Sequence, residues 1–302
     1  MEKVVIALGG NAILKKGEDS SIAKQFENTQ KALKPLITII KNNSIVITHG
    51  SGPQVGQLLL QDPNMPLDVL DAETEGQLGY LIQQCIYNLF RENKIKRNVV
   101  SILTQVLINK KDNAFKNPSK FIGPFYNKKQ SELLKKKGFI IKEDIGRGYR
   151  RVVASPKPLI IIEADVIRDL LNKNIVVIAV GGGGIPVNYE NNKLKGVEAV
   201  IDKDLASACL ANGIKADTFI MITDVDKVYL NFKKKNQQEL NGVKLSELKR
   251  YYKEGHFPAG SMGPKIEAAI NFLNNKGKKV IITNINNIEK ALKGRAGTII
   301  ER

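Results

Sequence analysis

Seven short, almost uninterrupted apolar runs recur along the chain, with longer amphipathic or polar stretches between them. They are Val4–Leu8 (VVIAL), Ser44–Thr48 (SIVIT), Val99–Leu107, Asn174–Val180 (NIVVIAV), Thr218–Thr223 (TFIMIT), Lys279–Thr283 (KVIIT) and Thr298–Ile300. A strand with one wet face alternates apolar and polar residues. Runs without alternation suit strands covered on both faces, as in a parallel sheet between helical layers. Helical patterns fill the gaps, over Ser20–Lys41, Thr74–Asn93, Glu163–Asn172, Lys203–Asn212 and Lys265–Asn275. The alternation predicts an α/β fold, a sandwich built on a largely parallel sheet. With 42% hydrophobic residues, 302 residues suffice for one large domain with a sizeable core.

The region from about Lys110 to Lys157 breaks this rhythm. It is rich in Lys, Pro and Gly, carries short aromatic segments (FIGPFY, GYRRVV) and ends in Ser155-Pro156-Lys157-Pro158. We read it as an inserted subdomain, a small β-rich lobe with one helix over Lys128–Lys137. The apolar stretch in MEKVVIALGG runs at once into Gly9-Gly10-Asn11 and lacks a small-residue cleavage site, so it reads as a strand and not as a signal peptide. No run of 18 apolar residues indicates a membrane span. Cys85 and Cys209 lie far apart and outside any CxxC or Cys/His cluster, which is the pattern of buried reduced thiols in a cytosolic protein.

Glycine follows three of the strands. Val4–Leu8 runs into Gly9-Gly10-Asn11, the second run into His49-Gly50-Ser51-Gly52, and Asn174–Val180 into Gly181-Gly182-Gly183-Gly184. In an open α/β sheet, ligands bind beyond the carboxyl ends of the strands. Glycine there lets backbone N–H groups approach an anion, and a following helix N-terminus adds favourable potential. Three such turns point to an anion or nucleotide site. The class is narrowed by what is missing. There is no GxxxxGK[ST] loop, Gly50-Ser51-Gly52 is not completed to GxGxxG, and no HRD or DFG pair occurs.

The chain carries 47 Lys and Arg against 30 Asp and Glu, a net charge of +17. Between Lys94 and Arg151 there are 16 basic residues and 4 acidic ones. Compositional drift in a Lys-, Ile- and Asn-rich chain, steering of anionic substrates, and nucleic-acid binding would each account for this. No nucleic-acid motif or basic–aromatic interleaving accompanies the charge. Phosphoryl transfer needs positive charge around the transferred group and little covalent help. Lys203 in Ile201-Asp202-Lys203-Asp204, Lys265 in Gly263-Pro264-Lys265 and Lys120 in Pro118-Ser119-Lys120 are candidates, and Asp204 could orient Lys203 or Lys265. Thr223-Asp224-Val225-Asp226-Lys227-Val228-Tyr229 reads either as a nucleotide or metal environment or as an Asx turn leaving a strand.

Taken together, these motifs resemble those of carbamate kinases, within the amino acid kinase family. The matching stretches are ALGGNAI (7–13), THGSGPQVG (48–56), NPSKFIGPFY (117–126), RRVVASPKP (150–158), AVGGGGIPV (179–187), EAVIDKDLAS (198–207), ITDVDKVY (222–229) and GSMGPKIEAAI (260–270). They span almost the whole chain. Phe257-Pro258-Ala259-Gly260 departs from the family pattern, which has Ala-Pro-Gly there.

The resemblance implies a three-layer αβα sandwich with a mainly parallel open sheet: one amino acid kinase-like domain over 1–302 with a protruding subdomain inserted at 112–157. It implies reversible transfer between ATP and carbamate to give ADP and carbamoyl phosphate, with Mg²⁺ carried by the nucleotide, in a cytoplasmic homodimer that makes ATP at the end of arginine breakdown. No protein metal ligands and no nucleic-acid partner are implied. By resemblance, Gly9, Gly10, Asn11, Gly50, Ser51 and Gly52 cradle the carbamate and γ-phosphate. Lys203 and Lys265 meet the transferred group, Asp204 organises them, and Lys120 is delivered by the lobe. Thr223, Asp224, Tyr229 and Met262 fall in the nucleotide region. Carbamate is already an anion and needs no general base, so His49 and His256 are left without catalytic duty. Two alternatives stay open on the residues alone. One is a sister kinase acting on acetylglutamate or a similar carboxylate, and the other is a non-catalytic nucleotide- or RNA-binding protein.

Overall fold

The computed structural model describes residues 1–14, 18–144, 148–257 and 262–302. Eight strands form the main sheet: β1 (Lys3–Leu8), β2 (Ser44–His49), β3 (Val99–Ser101), β4 (Val176–Ile178), β5 (Thr218–Ile222), β6 (Gly242–Lys244), β7 (Lys279–Thr283) and β8 (Thr298–Glu301). Their order across the sheet is β6-β8-β7-β5-β1-β2-β4-β3. Every neighbouring pair is parallel except β7 with β8.

The uninterrupted apolar runs have the predicted cause. In β1, Val5 and Ala7 enter one core while Val4, Ile6 and Leu8 enter another on the opposite face. In β5, Phe219 and Met221 go one way, and Ile220 and Ile222 the other. Each strand therefore needs apolar side chains at every position. Full burial of each Ile, Leu or Val contributes about 1.5–3 kcal/mol. The eight helices that matter most are α1 (Ile22–Leu33), α2 (Gly52–Gln61), α3 (Leu67–Glu92), α4 (Lys128–Lys136), α5 (Ala164–Asn172), α6 (Lys203–Gly213), α7 (Leu245–Lys253) and α8 (Met262–Asn274). Buried residues of α1 and α3 pack in one core and those of α5, α6, α7 and α8 in the other, which makes three layers.

Some sequence expectations need correcting. The single helix expected over Ser20–Lys41 is broken into α1, a 3-10 turn at Lys34–Leu36 and a short helix at Ile37–Asn42. Pro35 lacks the N–H that would continue the first helix. The strand expected over Val99–Leu107 is two: β3, and Gln105–Ile108 in a second sheet with Lys193–Gly196, Ile185–Glu190 and Pro158–Ile161. Between them the Thr104 N–H donates to the Glu75 carboxylate at 2.9 Å, and the Thr104 hydroxyl to Ile102 O at 3.0 Å, which turns the chain out of the main sheet. Cys85 is buried but Cys209 only half-buried, and both are free thiols.

Residues Lys120–Tyr126, Ile141–Asp144 and Gly148–Val153 form a separate three-stranded antiparallel sheet, with α4 between the first two. Arg150 lies over the Phe125 ring at 5.0 Å and Arg151 over Phe139 at 4.6 Å. This small sheet joins the rest through an apolar cluster that includes Val55 and Leu59 of α2, Leu67 and Leu70 of α3, and Ile122 and Val153. No helix among the described residues is long and apolar enough to cross a membrane.

Candidate active site

β5, β1, β2 and β4 are consecutive in the sheet and parallel, so their carboxyl ends share one edge. The chain winds from β1 outward to β2 and later returns to add β5 on the other side of β1. That reversal leaves a crevice at the sheet's carboxyl edge, where open α/β sheets bind ligands. A cavity of about 460 Å³ lies at this edge.

One end of the cavity is made of glycine turns and lysines. Gly50, Ser51 and Gly52 line it, with Gly182 of the turn after β4. Gly52 opens α2, and the side chain of its N-cap residue, Ser51, makes no capping hydrogen bond. A Cβ on Gly50 would sit 3.2 Å from Gly10 N, so the turns after β1 and β2 pack backbone to backbone. Gly9 and Gly10 do not line the cavity, and Gly10 stands directly behind Gly50. The Gly9 N–H is bonded to Ile222 O at 3.1 Å, which fastens the turn to β5. Asn11 lies in the 3-10 turn Gly10–Ala12, and its side chain is outside the described residues.

Lys203 and Asp204 are the first two residues of α6. Asp202 caps this helix, its Oδ1 accepting from the Asp204 N–H at 2.9 Å. Lys265 comes from the first turn of α8. The sequence leaves open which lysine Asp204 orients, and in the structure it meets both. Lys203 Nζ is 2.9 Å from Oδ1, and Lys265 Nζ donates to Oδ2 at 2.6 Å. The Lys203 contact is an ion pair without hydrogen-bond alignment: among the described residues Lys203 Nζ has no hydrogen-bond partner, although it is buried. Burial favours the neutral acid at Asp204, yet the two ammonium groups outweigh it and hold the carboxyl well below the usual range. Burial, only partly offset by Asp204, lowers Lys203. At Lys265 burial acts in the same direction, but Asp204 outweighs it and the ammonium is held above its ordinary value. One carboxylate thus sits between two cations, leaving net positive charge beside the glycine turns.

Lys120 lines the same cavity from the small sheet, and its Nζ donates to Asp202 Oδ2 at 2.8 Å. The other end of the cavity is aromatic and apolar. Tyr229 and Phe232 lie with ring centroids 5.9 Å apart, near Val225 and Met262. Thr223 and Asp224 also line the cavity, and the Tyr229 hydroxyl donates to Asp226 Oδ1 at 2.9 Å. Pro258 to Ser261, which include most of the departure from the family pattern, lie outside the described residues.

His49 is fully buried, and burial pushes its imidazole down to about 4, so it is neutral at pH 7. His256 is held between Asn231 at 3.0 Å and Glu254 at 3.1 Å, away from the cavity lining. Sequence reasoning missed Asp202, Gly182, Lys227 and Phe232 as cavity residues. Asp202 and Gly182 lay inside motifs already singled out. Lys227, paired with Glu239 at 3.0 Å, also lay inside a singled-out stretch, Thr223–Tyr229, where nothing marked it out from its neighbours.

The sequence model of the amino acid kinase family matches residues 2–284. A carbamate kinase of Thermococcus kodakarensis is 48% identical over the whole of both chains. One from Pyrococcus horikoshii is 48% identical over 98% of each. Among solved structures, carbamate kinase from Giardia lamblia bound to AMP-PNP superimposes with a TM-score of 0.92, at 43% identity, covering 99% of this chain and 98% of that one.

Proposed function

The chain belongs to the amino acid kinase family and is a phosphotransferase; from that premise we propose that it interconverts ATP and carbamate with ADP and carbamoyl phosphate. The observation that carries the reading is the Lys203–Asp204–Lys265 cluster, buried beside the glycine turns at the sheet's carboxyl edge.

In the proposed reaction a carbamate oxygen attacks the γ-phosphorus of ATP, and the bond to the β–γ bridging oxygen breaks. ADP leaves with that oxygen, and carbamoyl phosphate forms. The attacking oxygen is already anionic, so no base need take a proton, and His49, which does not line the cavity, would not be called on as one. The barrier is the meeting of two anions. Backbone N–H groups at Gly50–Gly52 would hold the acceptor and γ-phosphate oxygens, with Gly9, Gly10 and Asn11 backing that turn. Lys203 and Lys265 would neutralise charge on the transferred group, and Asp204 would keep both ammonium groups aimed there. Lys120 would exchange Asp202 for a phosphate oxygen as the nucleotide enters. The purine would rest against Tyr229 and Met262, with Thr223 and Asp224 nearer the ribose and phosphates.

Mg²⁺ fits this site as a passenger on the nucleotide. No cluster of three or more potential ligands exists among the described residues, and both oxygens of Asp204 face lysines. A small hard cation held by phosphate oxygens and water suits such a site, and it would supply further charge neutralisation there. In this reading residues 112–157 are an inserted lobe within a single domain. We further propose a cytoplasmic homodimer that makes ATP from carbamoyl phosphate at the end of arginine breakdown. Exposed Leu159, Ile160 and Val166 offer apolar surface for a subunit contact. The relatives are named as carbamate kinases and not as acetylglutamate kinases or nucleic-acid binders, which favours carbamate over both alternatives.

The test is ATP formation from ADP and carbamoyl phosphate with Mg²⁺. We expect turnover. Folded protein that makes no ATP, or that phosphorylates acetylglutamate faster than carbamate, would overturn the reading.

A further inference from the structure

Val180, the residue that ends β4's run, is left-handed, with φ 54° and ψ 39°. It is β-branched and completely buried, and such residues avoid this conformation. Gly182, Gly183 and Gly184 follow at φ 70°, 112° and 81°. Glycine tolerates these angles but many others as well, so the turn does not hold its own shape. Something outside it must.

Three side-chain hydrogen bonds do this from two distant parts of the chain. Glu75 of α3 accepts from the Gly181 N–H through Oε1 at 2.8 Å. Its Oε2 accepts from the Thr104 N–H at 2.9 Å. The Thr104 hydroxyl in turn accepts from the Val180 N–H at 3.0 Å. Thr104 is also tied to the residue after the turn, its carbonyl accepting from the Ile185 N–H at 2.8 Å. The turn is also seated on the β2 end. A Cβ on Gly181 would lie 2.5 Å from His49 Nε2, and one on Gly182 would lie 2.4 Å from Ser51 Oγ. Gly182 and Ser51 both line the cavity at its glycine end. Glu75 itself is 1% exposed and does not line the cavity.

We infer that Glu75 is a positioning residue for the acceptor end of the site: its two carboxyl oxygens, with Thr104, hold the Val180–Gly184 turn in its left-handed path and so place Gly182 against Ser51. A carboxyl group is suited to this because two backbone N–H groups, from segments far apart in sequence, need two acceptors on one rigid fork. Glutamine keeps the shape but offers one acceptor, and turns an NH₂ group toward the other N–H. Alanine offers none. The inference rests on assigning the glycine end to carbamate and carbamoyl phosphate. It is tested separately from that assignment, because wild-type turnover decides the assignment and the variants decide this.

The experiment measures kcat and both KM values for wild type, Glu75→Ala, Glu75→Gln and Thr104→Val, each shown to be folded by circular dichroism. A displaced turn in Glu75→Ala is expected to raise the KM for carbamoyl phosphate about tenfold or more, since small misplacements at a reacting centre have large effects. The KM for ADP is expected to stay within about twofold, because the aromatic end is untouched. Glu75→Gln should recover about half of the loss on a logarithmic scale, and Thr104→Val should show the same selective rise. Equal changes in both KM values, or folded variants with both values at wild-type level, would overturn the inference. If Glu75→Ala does not fold, Glu75→Gln and Thr104→Val decide by the same criterion.

Discussion

Lys203 and Lys265 reach one carboxylate from two helices, and this arrangement sets what each contributes. Asp204 alone could not neutralise both, so a positive charge remains where the proposed reaction would bring two anions together. In the proposed mechanism, removing either ammonium would remove charge stabilisation from the transition state. Lys203→Ala and Lys265→Ala should each lower kcat by about 10²–10³. ADP binding, read by calorimetry, should change far less than kcat. Near-normal kcat in either variant would remove that lysine from the proposed mechanism. At this scale the candidates were visible in the sequence, because Lys203 opens the helical pattern Lys203–Asn212 and Lys265 follows Gly263-Pro264. Their pairing through one aspartate was not visible, since it depends on how α6 and α8 pack side by side to join residues 61 positions apart. Glu75 was invisible for a different reason: it sits inside a long helical pattern like any charged residue, and only the fold brings the turns at Thr104 and Gly181 to its carboxyl group.

α3 concentrates buried acid. Asp71 and Glu75 lie one turn apart on it, at 2% and 1% exposure. Burial pushes the Glu75 carboxyl up from 4.5 to about 8 despite the N–H groups it accepts from. Burial, reinforced by Glu75, Asp68 and Glu198, raises Asp71 as well. Both oxygens of Asp71 lack a hydrogen-bond partner among the described residues. A carboxyl group with a raised folded value binds a proton that the unfolded chain has released. Its contribution to stability is therefore whole below pH 4.5 and is lost as pH rises toward about 8. The urea midpoint of the wild type should fall across that interval, and Glu75→Gln, which has no proton to release, should flatten the fall. A steeper or unchanged slope in the variant would contradict this origin. The helix was legible as a pattern from Thr74 to Asn93, but it begins at Leu67, because its first two turns are anchored by tertiary contacts. The Leu67 N–H donates to Glu198 at 3.0 Å. The split of Val99–Leu107 into two strands has a similar cause in Glu75 and Thr104.

Across the whole molecule the charge is +17, with much of the excess in the segment that carries the small sheet and Lys120. Every substrate in the proposed reaction is an anion. If the field steers them, kcat/KM for ADP and carbamoyl phosphate should fall about tenfold between 0.05 and 0.5 M salt while kcat stays level. Replacing Lys128, Lys129 and Lys135 with glutamine should flatten that dependence, and an unaltered salt profile would mark the charge as compositional. The sequence by itself determined the layered α/β architecture, because strands covered on both faces must be apolar at every position. It also determined that glycine-rich turns lie beyond several strands, because glycine there is a local requirement of the backbone. Only the tertiary structure decided which of the 47 basic residues meet at one carboxylate, and which buried acid holds the glycine turn. Such pairings join residues tens to more than a hundred positions apart. They depend on helix packing and strand order, which local patterns in a chain do not encode.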